Sequence, residues 1–147
     1  MMRDERPLGE VLNRTARLLR RLADQRLAPF ALSAGYLPVL TALMRGEAMS
    51  QRALTEQAGI EQPTMAATLV RMERDGAIER KPDPGDKRSV LYTLSAQTRS
   101  RASEIEAAIQ QLNGDALDGV SRADRERLHD MLAAIAGSVE QQLRRST

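Results

Sequence analysis

The chain has 147 residues, of which 41% are hydrophobic, which suits one compact domain with a buried core and excludes a compositionally disordered chain. With no cysteine and a single histidine, His129, the sequence excludes disulfides, thiol chemistry and Cys/His zinc sites. The net charge is only +2, although residues 1–27 carry seven arginines against four acids, so total charge alone does not indicate nucleic-acid binding.

Aromatic side chains are scarce, since Phe30, Tyr36 and Tyr92 are the only three. The core is therefore expected to consist of Leu, Ala, Met, Ile and Val. No apolar run approaches the roughly 18 residues that indicate a transmembrane helix. The first 22 residues lack the apolar segment of a secretory signal, so we expect a cytoplasmic location.

Residues 8–27 are predicted to form the first helix. Their apolar positions recur at helical spacing, close to that of a heptad seam. These positions are Leu8, Val11, Leu12, Thr15, Leu18, Leu19, Leu22 and Leu27. Four arginines lie mostly off this stripe, namely Arg14, Arg17, Arg20 and Arg21. Pro29 is expected to end the helix, because proline lacks the backbone donor that a helix interior needs.

A second helix is expected to start at Ser33, whose hydroxyl group suits an N-cap. Its buried face is predicted to carry Leu37, Leu40, Leu43 and Met44. Pro38 lies one turn into this segment, where it should either kink the helix or delay its start. Gly46 is well placed to end it, because glycine readily adopts the left-handed conformation that follows many helices.

Residues 50–76 have the pattern of two helices joined by a tight turn. Ser50 is expected to cap a short helix, and Gly59 to begin the turn. Pro63 suits the first position of the next helix, which is predicted to end near Gly76. The buried face of that helix is predicted to carry Met65, Leu69 and Met72. The residues expected away from this face are Thr64, Ala67, Thr68, Arg71 and Arg74.

Two short β-like runs follow, at residues 77–81 and 89–94, with a loop over residues 82–88 between them. Ser95 is expected to cap one long helix with Ala102, Ile105, Ile109 and Leu112 on one face. Gly114 and Gly119 are expected to bracket a break before the last helix, which Ser121 would cap. The apolar stripe of that helix comprises Leu128, Met131, Leu132, Ile135, Val139 and Leu143.

This order of elements predicts a mainly α fold with a small antiparallel β-hairpin. A helix-turn-helix followed by a two-stranded hairpin is a winged helix, here over residues 33–94. The flanking regions, residues 1–32 and 95–147, are predicted to contain three amphipathic helices, one N-terminal and two C-terminal.

The sequence at this point resembles the MarR family of bacterial transcriptional regulators over nearly its whole length. The resemblance is carried by "LSAGYLPVLTAL", by the helix-turn-helix "QRALTEQAGIEQPTMAATLVRMERDG", and by a wing whose D-x-R signature is Asp86 and Arg88. It implies a homodimer paired through its terminal helices, and repression relieved by an effector bound between the dimer and DNA-binding parts. The sequence departs from the family pattern at Thr98, where glycine is common, and in its scarcity of aromatic residues.

The helix that starts at Pro63 is the candidate recognition helix. Thr64, Ala67 and Thr68 are short enough to let its backbone approach a major groove, and the two threonines offer hydroxyl and methyl groups to base edges. Arg71 is expected to read a guanine or to grip a phosphate, and Arg74 is a further candidate contact. The alternative is an ordinary solvated helix face.

The wing is the second candidate contact. Arg88 is expected to enter a minor groove, where its planar guanidinium group meets the most negative potential. Asp86 is expected to hold Arg88 or Arg71 in one rotamer, and Lys87 to meet phosphate loosely. The alternative is that Asp86 is a turn residue beside solvated cations.

Two weaker sites remain. Gln51 and Arg52 start the first helix of the helix-turn-helix, where free N–H groups suit a phosphate. The candidate effector site comprises Arg14, Arg17, Phe30, Tyr36 and Leu40, although the arginines also suit a solvated helix face. His129 next to Asp130 does not indicate a catalytic pair, because adjacent helical residues do not face each other.

The sequence therefore predicts a sequence-specific DNA-binding regulator and homodimeric repressor of a pseudo-palindromic duplex, with a small-molecule effector, no cofactor, no metal and no membrane partner. The alternatives are a regulator that ignores ligands and a winged-helix adaptor that binds another protein. No metal cluster, phosphate loop or nucleophile–base pair in the sequence points to an enzyme.

Overall fold

A computed structural model describes residues 6–147; residues 1–5, which belong to the predicted flanking region 1–32, lie outside it. The helices are α1 (Leu8–Leu27), α2 (Leu37–Leu43), α3 (Gln51–Ala58), α4 (Gln62–Arg74), α5 (Ala96–Ser100), α6 (Ala102–Ala116) and α7 (Arg122–Arg145). The strands are β1 (Ile78–Asp83) and β2 (Asp86–Leu94), which pair antiparallel. The prediction of a mainly α fold with one β-hairpin is confirmed. The chain divides into two compact units, which meet between Leu112 and Asn113.

Proline shapes the start of the first unit at two points. α1 ends at Leu27 and continues as a 3-10 turn over Ala28–Phe30 that contains Pro29. A second 3-10 turn, Ala34–Tyr36, precedes α2, which begins only at Leu37 with Pro38 in its first turn. Pro38 therefore delays the helix and does not kink it, since its missing N–H falls where no intrahelical partner exists.

Ser33 does not cap the second helix, contrary to the expectation. Ser33 precedes the 3-10 turn in an extended conformation, but its side chain makes no capping hydrogen bond. The backbone N–H of the next residue, Ala34, instead donates to the Oδ1 atom of Asp24 on α1 at 2.7 Å. A side chain from a distant helix therefore satisfies a donor at the start of this segment.

The helix-turn-helix forms as the sequence predicts. The Ser50 Oγ atom accepts the backbone N–H of Ala53 at 3.1 Å and so caps α3. Gly59 ends α3 with φ of 64°, a left-handed conformation that favours glycine. The core of the first unit is continuous across α2, α3, α4 and the hairpin, and it includes the end of α1 and part of α6. Its fully buried side chains are Leu27, Val39, Leu40, Leu54, Met65, Leu69, Met72, Ile78 and Ile105.

The hairpin is longer, and its loop shorter, than the sequence pattern indicates. β2 begins at Asp86, so the predicted loop over residues 82–88 shrinks to the two residues Pro84 and Gly85. The backbone N–H of Gly85 donates to Asp83 Oδ1 at 2.9 Å, which closes the turn. Both faces of the hairpin are exposed near its turn, so its strands need no alternation of apolar and polar residues there. The consecutive charged residues at the start of β2 therefore resemble a loop in the sequence.

The segment after the hairpin contains two helices where one was expected. Ser95 caps α5 by accepting the Thr98 N–H at 3.2 Å, but α5 ends at Ser100 and α6 starts at Ala102. Arg101 lies at the break, with its guanidinium carbon 4.4 Å from the centroid of the Phe30 ring and Nη1 donating to the Pro29 carbonyl at 3.2 Å. This cation–π contact to the distant 3-10 turn accompanies a break that no local proline or glycine signals.

The second unit, residues 113–147, consists of the end of α6, a short connection and α7. Gly114 lies inside α6, contrary to the expectation that it marks a break, whereas Gly119 in the connection has φ of 79°. Ser121 caps α7 by accepting the Asp124 N–H at 3.2 Å, as the sequence predicts. No side chain of α7 is buried: four residues of its apolar stripe are exposed, namely Met131, Leu132, Val139 and Leu143, and Leu128 and Ile135 are half-buried.

Within residues 6–147 no single helix is long and apolar enough to cross a membrane. A bent pair, Leu8–Phe30 with Ala34–Leu43, meets this test of length and composition only when its two parts are taken together.

Two adjacent residues of α4 provide a matched test of this packing. Leu69 is 1% exposed whereas Val70 is 67% exposed. We expect Leu69→Ala to lower the free energy of unfolding by about 2–5 kcal/mol, because truncation leaves a cavity in the core. Val70→Ala is expected to change it by less than about 0.5 kcal/mol. Urea unfolding of both variants measures the difference, and equal losses would contradict the orientation of α4.

Candidate nucleic-acid interface

The exposed face of α4 is the central feature of this interface. Its inner face is fixed by Met65, Leu69 and Met72, which are at most 1% exposed. The exposed residues of the helix are Gln62, Pro63, Thr64, Ala67, Val70, Arg71 and Arg74. This outward face carries two arginines and no acidic residue, and its first two turns have short side chains. It therefore combines close backbone approach with positive charge, which is what a helix needs in a major groove.

Thr68 is not part of the exposed face, so the expectation that it lies away from the buried side is wrong. Its side chain is 4% exposed, and its hydroxyl group donates to the carbonyl oxygen of Thr64 at 2.9 Å. Position 68 lies 40° from position 72 around a helix, on the same side as the core residues. Threonine is tolerated there because the carbonyl four residues earlier satisfies its hydroxyl group.

Arg71 turns back toward the start of α2. Its guanidinium carbon lies 5.9 Å from the centroid of the Tyr36 ring, at the outer limit of a cation–π contact. The Tyr36 hydroxyl donates to Asp75 Oδ2 at 2.5 Å, and Arg74 Nε lies 3.2 Å from Oδ1 of the same carboxylate. A polar cluster of Tyr36, Arg71, Arg74 and Asp75 therefore ties the end of α4 to α2.

This cluster shifts the acidity of its two titratable partners. Burial, together with the hydrogen bond to Asp75, raises the pKa of Tyr36 above its ordinary value of 10.0. The hydrogen bond from Tyr36 lowers the pKa of Asp75 below 3.8, and the nearby guanidinium groups of Arg74 and Arg71 act in the same direction. The contact therefore joins a neutral phenol to an ionised carboxylate near neutral pH.

Asp86 does not hold an arginine, contrary to the expectation. Its Oδ1 atom accepts the backbone N–H of Arg88 at 2.9 Å, and within residues 6–147 no ion pair joins it to Arg88 or Arg71. The carboxylate therefore stabilises the backbone at the start of β2. The side chains of Lys87 and Arg88 are exposed next to the turn, where they extend into solvent.

The base of the wing is attached to the helix-turn-helix on two sides. Met49, just before α3, exchanges two backbone hydrogen bonds with Tyr92 of β2, at 2.8 and 3.0 Å. Arg80 of β1 pairs with Glu73 of α4 at 2.6 Å. The wing and α4 are thus positioned together, and the Arg80 guanidinium group is engaged by a carboxylate of α4.

Gln51 and Arg52 lie at the start of α3, as expected. The Gln51 amide donates to the Gln62 side chain at 3.2 Å, which links the N-termini of α3 and α4. Arg52 pairs with Glu56 at 3.2 Å, with both side chains largely exposed. An exposed pair of this kind is weak, so Arg52 remains available to an external phosphate.

Comparison with known proteins matches this arrangement to one family. The model of the MarR family matches residues 32–90, which extend from just before the 3-10 turn that precedes α2 to the middle of β2. Residues 32–90 are a MarR family domain. The match contains the exposed face of α4, the polar cluster and the wing tip.

Solved structures share the fold over most of the chain. A probable transcriptional regulator from Pseudomonas aeruginosa has a TM-score of 0.80 at 24% identity, covering 90% of this chain and 99% of that chain. BpsR of Bordetella bronchiseptica, whose DNA binding is regulated by 6-hydroxynicotinic acid, has a TM-score of 0.78 at 23% identity, covering 92% and 97%. A mutant of MarR from E. coli, solved in complex with operator DNA, has a TM-score of 0.77 at 22% identity, covering 88% and 93%.

The residues proposed from sequence for an effector do not form one group in this MarR-type fold. Arg14 and Arg17 are exposed on α1, and Leu40 is fully buried in the core. Phe30 lines a cavity of about 40 Å³ together with Arg101 and Ile105, but Tyr36 and Leu40 do not line it. A cavity of this size has room for about one water molecule, which is too little for an effector.

Two features of the site escaped the sequence pattern. A methyl group added at Gly35 would lie 3.3 Å from Arg20 Nη2 and 3.9 Å from Arg71 Nη2, so two guanidinium groups from different helices converge there. Nothing in the sequence brings α1 and α4 together at this point. The second feature is Val70, which was not among the residues predicted to contact DNA. Its place on the outward face follows from its spacing of three residues after Ala67.

The polar cluster predicts how stability depends on pH. Because the pKa of Asp75 is lowered, its contribution is present above the ordinary value of 3.8 and is lost as the pH falls through the lowered value. Because the pKa of Tyr36 is raised, its contribution is present below 10.0 and is lost as the pH rises through the raised value. Tyr36→Phe is expected to lower the free energy of unfolding by a constant amount from about pH 5 to 9, with a smaller difference at both extremes.

Urea unfolding at a series of pH values measures this difference. Tyr92→Phe is the matched control in acid, because the Tyr92 hydroxyl has no hydrogen-bond partner within the described residues. The coupling is refuted if the Tyr36 variant keeps the wild-type loss of stability below about pH 4.

Proposed function

We propose that the chain is a sequence-specific DNA-binding transcriptional regulator that acts as a homodimeric repressor. Each protomer places α4 in a major groove and Arg88 of the wing in the adjacent minor groove. A small acidic effector relieves this binding. The proposed partner is chromosomal DNA, which places the protein in the cytoplasm, and no catalytic activity is part of the proposal.

The exposed face of α4 is the single observation that carries this function. It has two arginines, Arg71 and Arg74, and no acid, and it lies in the same compact unit as the exposed cations Lys87 and Arg88. Cations on a groove-sized helix and on a wing match the two kinds of contact that duplex recognition requires. The complex of the MarR mutant from E. coli with operator DNA supports the same use of this fold.

The dimer is proposed from the terminal helices. α1 exposes Leu8, Leu18 and Leu19 at 44–55%, and α7 exposes Met131, Val139 and Leu143 at 53–65%. Both sets belong to longer apolar stripes, over residues 8–27 and 128–143, whose spacing is close to that of a heptad seam between helices. A two-fold dimer built on these helices, which would correspond to the regions 1–32 and 95–147, requires two half-sites in the bound DNA.

The effector is proposed from the convergence of Arg20 and Arg71 at Gly35. Within residues 6–147 no ion pair joins a carboxylate to either guanidinium group. The two acids close to Gly35 have other partners: Asp75 accepts from Tyr36 and pairs with Arg74, and Asp24 accepts the Ala34 N–H. Two such groups beside the Tyr36 ring suit a small planar carboxylate. An anion held there would fix Arg71, which lies on the recognition helix, and so would change that helix's fit to DNA. The regulation of BpsR by 6-hydroxynicotinic acid supports an acidic ligand.

A winged-helix adaptor for another protein is the second candidate. The exposed Val70 favours it, since an apolar side chain on an outward face also suits a protein partner. Failure to bind any duplex at low salt would favour the adaptor over the regulator.

Selection of bound sequences from a random duplex pool tests the function itself. We expect a pseudo-palindrome whose half-sites lie about one helical turn, or 10 base pairs, apart. A single unpaired half-site would contradict the dimer, and no enrichment at all would contradict DNA binding.

The wing contact predicts a specific salt effect. Arg88→Ala is expected to weaken binding to the selected duplex and to reduce the slope of log affinity against log salt by about one. Fluorescence anisotropy between about 50 and 200 mM salt measures both quantities. Arg122→Ala removes the same charge from a side chain that is 96% exposed on α7, and should leave the slope unchanged. Equal slopes for wild type and Arg88→Ala would refute the wing contact.

The effector site predicts discrimination by charge. Benzoate is expected to weaken operator binding by the wild-type protein, whereas benzamide, its neutral analogue, is expected to have no effect. Arg20→Gln should abolish the response to benzoate and leave operator binding intact, since Arg20 is not on the proposed DNA surface. An equal response to the two compounds would exclude an anion site.

A further inference from the structure

Val70 is the most exposed of the large hydrophobic residues within the described part of the chain, at 67%. It lies near the middle of the outward face of α4, on the line that also carries Pro63, Ala67 and Arg74 at helical spacings of four, three and four residues. Its neighbour Leu69 is 1% exposed and belongs to the core.

Packing within the chain does not account for this side chain. Val70 belongs neither to the core cluster nor to the partly buried residues that pack against it. Valine also has a lower helix propensity than alanine, glutamate or lysine, any of which suits an exposed position of a helix better. The side chain is therefore not needed for packing within the chain, and it is free to contact a surface outside it.

We propose that Val70 contacts the C5-methyl group of a thymine in the major groove and so determines part of the operator sequence. This inference rests on the proposed DNA-binding function. The thymine methyl is the apolar group that a base pair presents in the major groove, and an apolar side chain is its natural contact. The branched side chain of valine is nearly fixed at χ1 in a helix, so little rotamer freedom is lost on contact.

The surroundings of Val70 favour DNA over an apolar protein partner. Ala67, one turn before it, allows the helix backbone to come close to the floor of the groove. Arg71 and Arg74 follow it and complement flanking phosphates. The acid nearest in sequence on α4, Glu73, is paired with Arg80 of the wing. Thr68 is buried, so the methyl groups of this face belong to Thr64, Ala67 and Val70, and Val70 has the largest apolar side chain among them.

The test replaces each thymine of the selected duplex with deoxyuridine, which removes only the methyl group. For the wild-type protein we expect one thymine in each half-site at which the replacement weakens binding about fourfold, the effect of losing one buried methyl-sized contact. Replacing both symmetric thymines should weaken binding about fifteenfold if the half-sites are independent. Val70→Ala should bind the thymine and deoxyuridine duplexes equally at that position.

Val90→Ala is the matched control, because Val90 is also exposed, at 41%, but lies on the wing. It should retain the wild-type preference for thymine over deoxyuridine. If no thymine shows a methyl effect, or if the effect persists in Val70→Ala, the proposal is overturned while DNA binding stands. If neither protein binds any duplex, DNA binding fails as well, so the two failures are distinguishable.

Discussion

The inward packing of Met65, Leu69 and Met72 is the constraint on which the rest of the structure depends. These three side chains fix the rotation of α4 about its own axis, since an interior at crystal-like density does not tolerate a turn of the helix. Once that rotation is fixed, every other residue of α4 has a defined direction. The inward position of Thr68 and the outward position of Val70 are two results of the same constraint.

The polar cluster and the wing fix the position of α4 relative to its neighbouring elements. The hydrogen bond from Tyr36 to Asp75 holds the C-terminal end of the helix against α2, and the pair between Arg80 and Glu73 joins it to the hairpin. Backbone pairing of Met49 with Tyr92 attaches the hairpin to the start of α3. The helix and the wing therefore belong to one compact unit, in which these contacts set the distance between their two sets of cations.

The sequence was sufficient to predict the structure at positions where one residue type determines the local backbone conformation. Ser50, Gly59 and Pro38 acted as the sequence predicts, because caps, left-handed turns and helix starts are decided within a few residues. Distant contacts decided the rest. The break at Arg101 accompanies a contact with Phe30, and Arg71 turns toward Tyr36, so neither follows from local sequence. Thr68 was misplaced for another reason: its polar type suggested exposure, while its spacing from Met72 placed it inside.

The lack of any buried side chain in α7 has a consequence for gene control. A 24-residue helix whose side chains are at most half-buried gains little stability from packing until another surface covers its apolar stripe. In the proposed dimer, ordering of α7 and association of two chains would then be a single equilibrium. Occupancy of the target DNA would rise roughly with the square of the chain concentration while monomers prevail. A small change in synthesis or degradation would then switch the regulated genes more steeply than a monomeric regulator can.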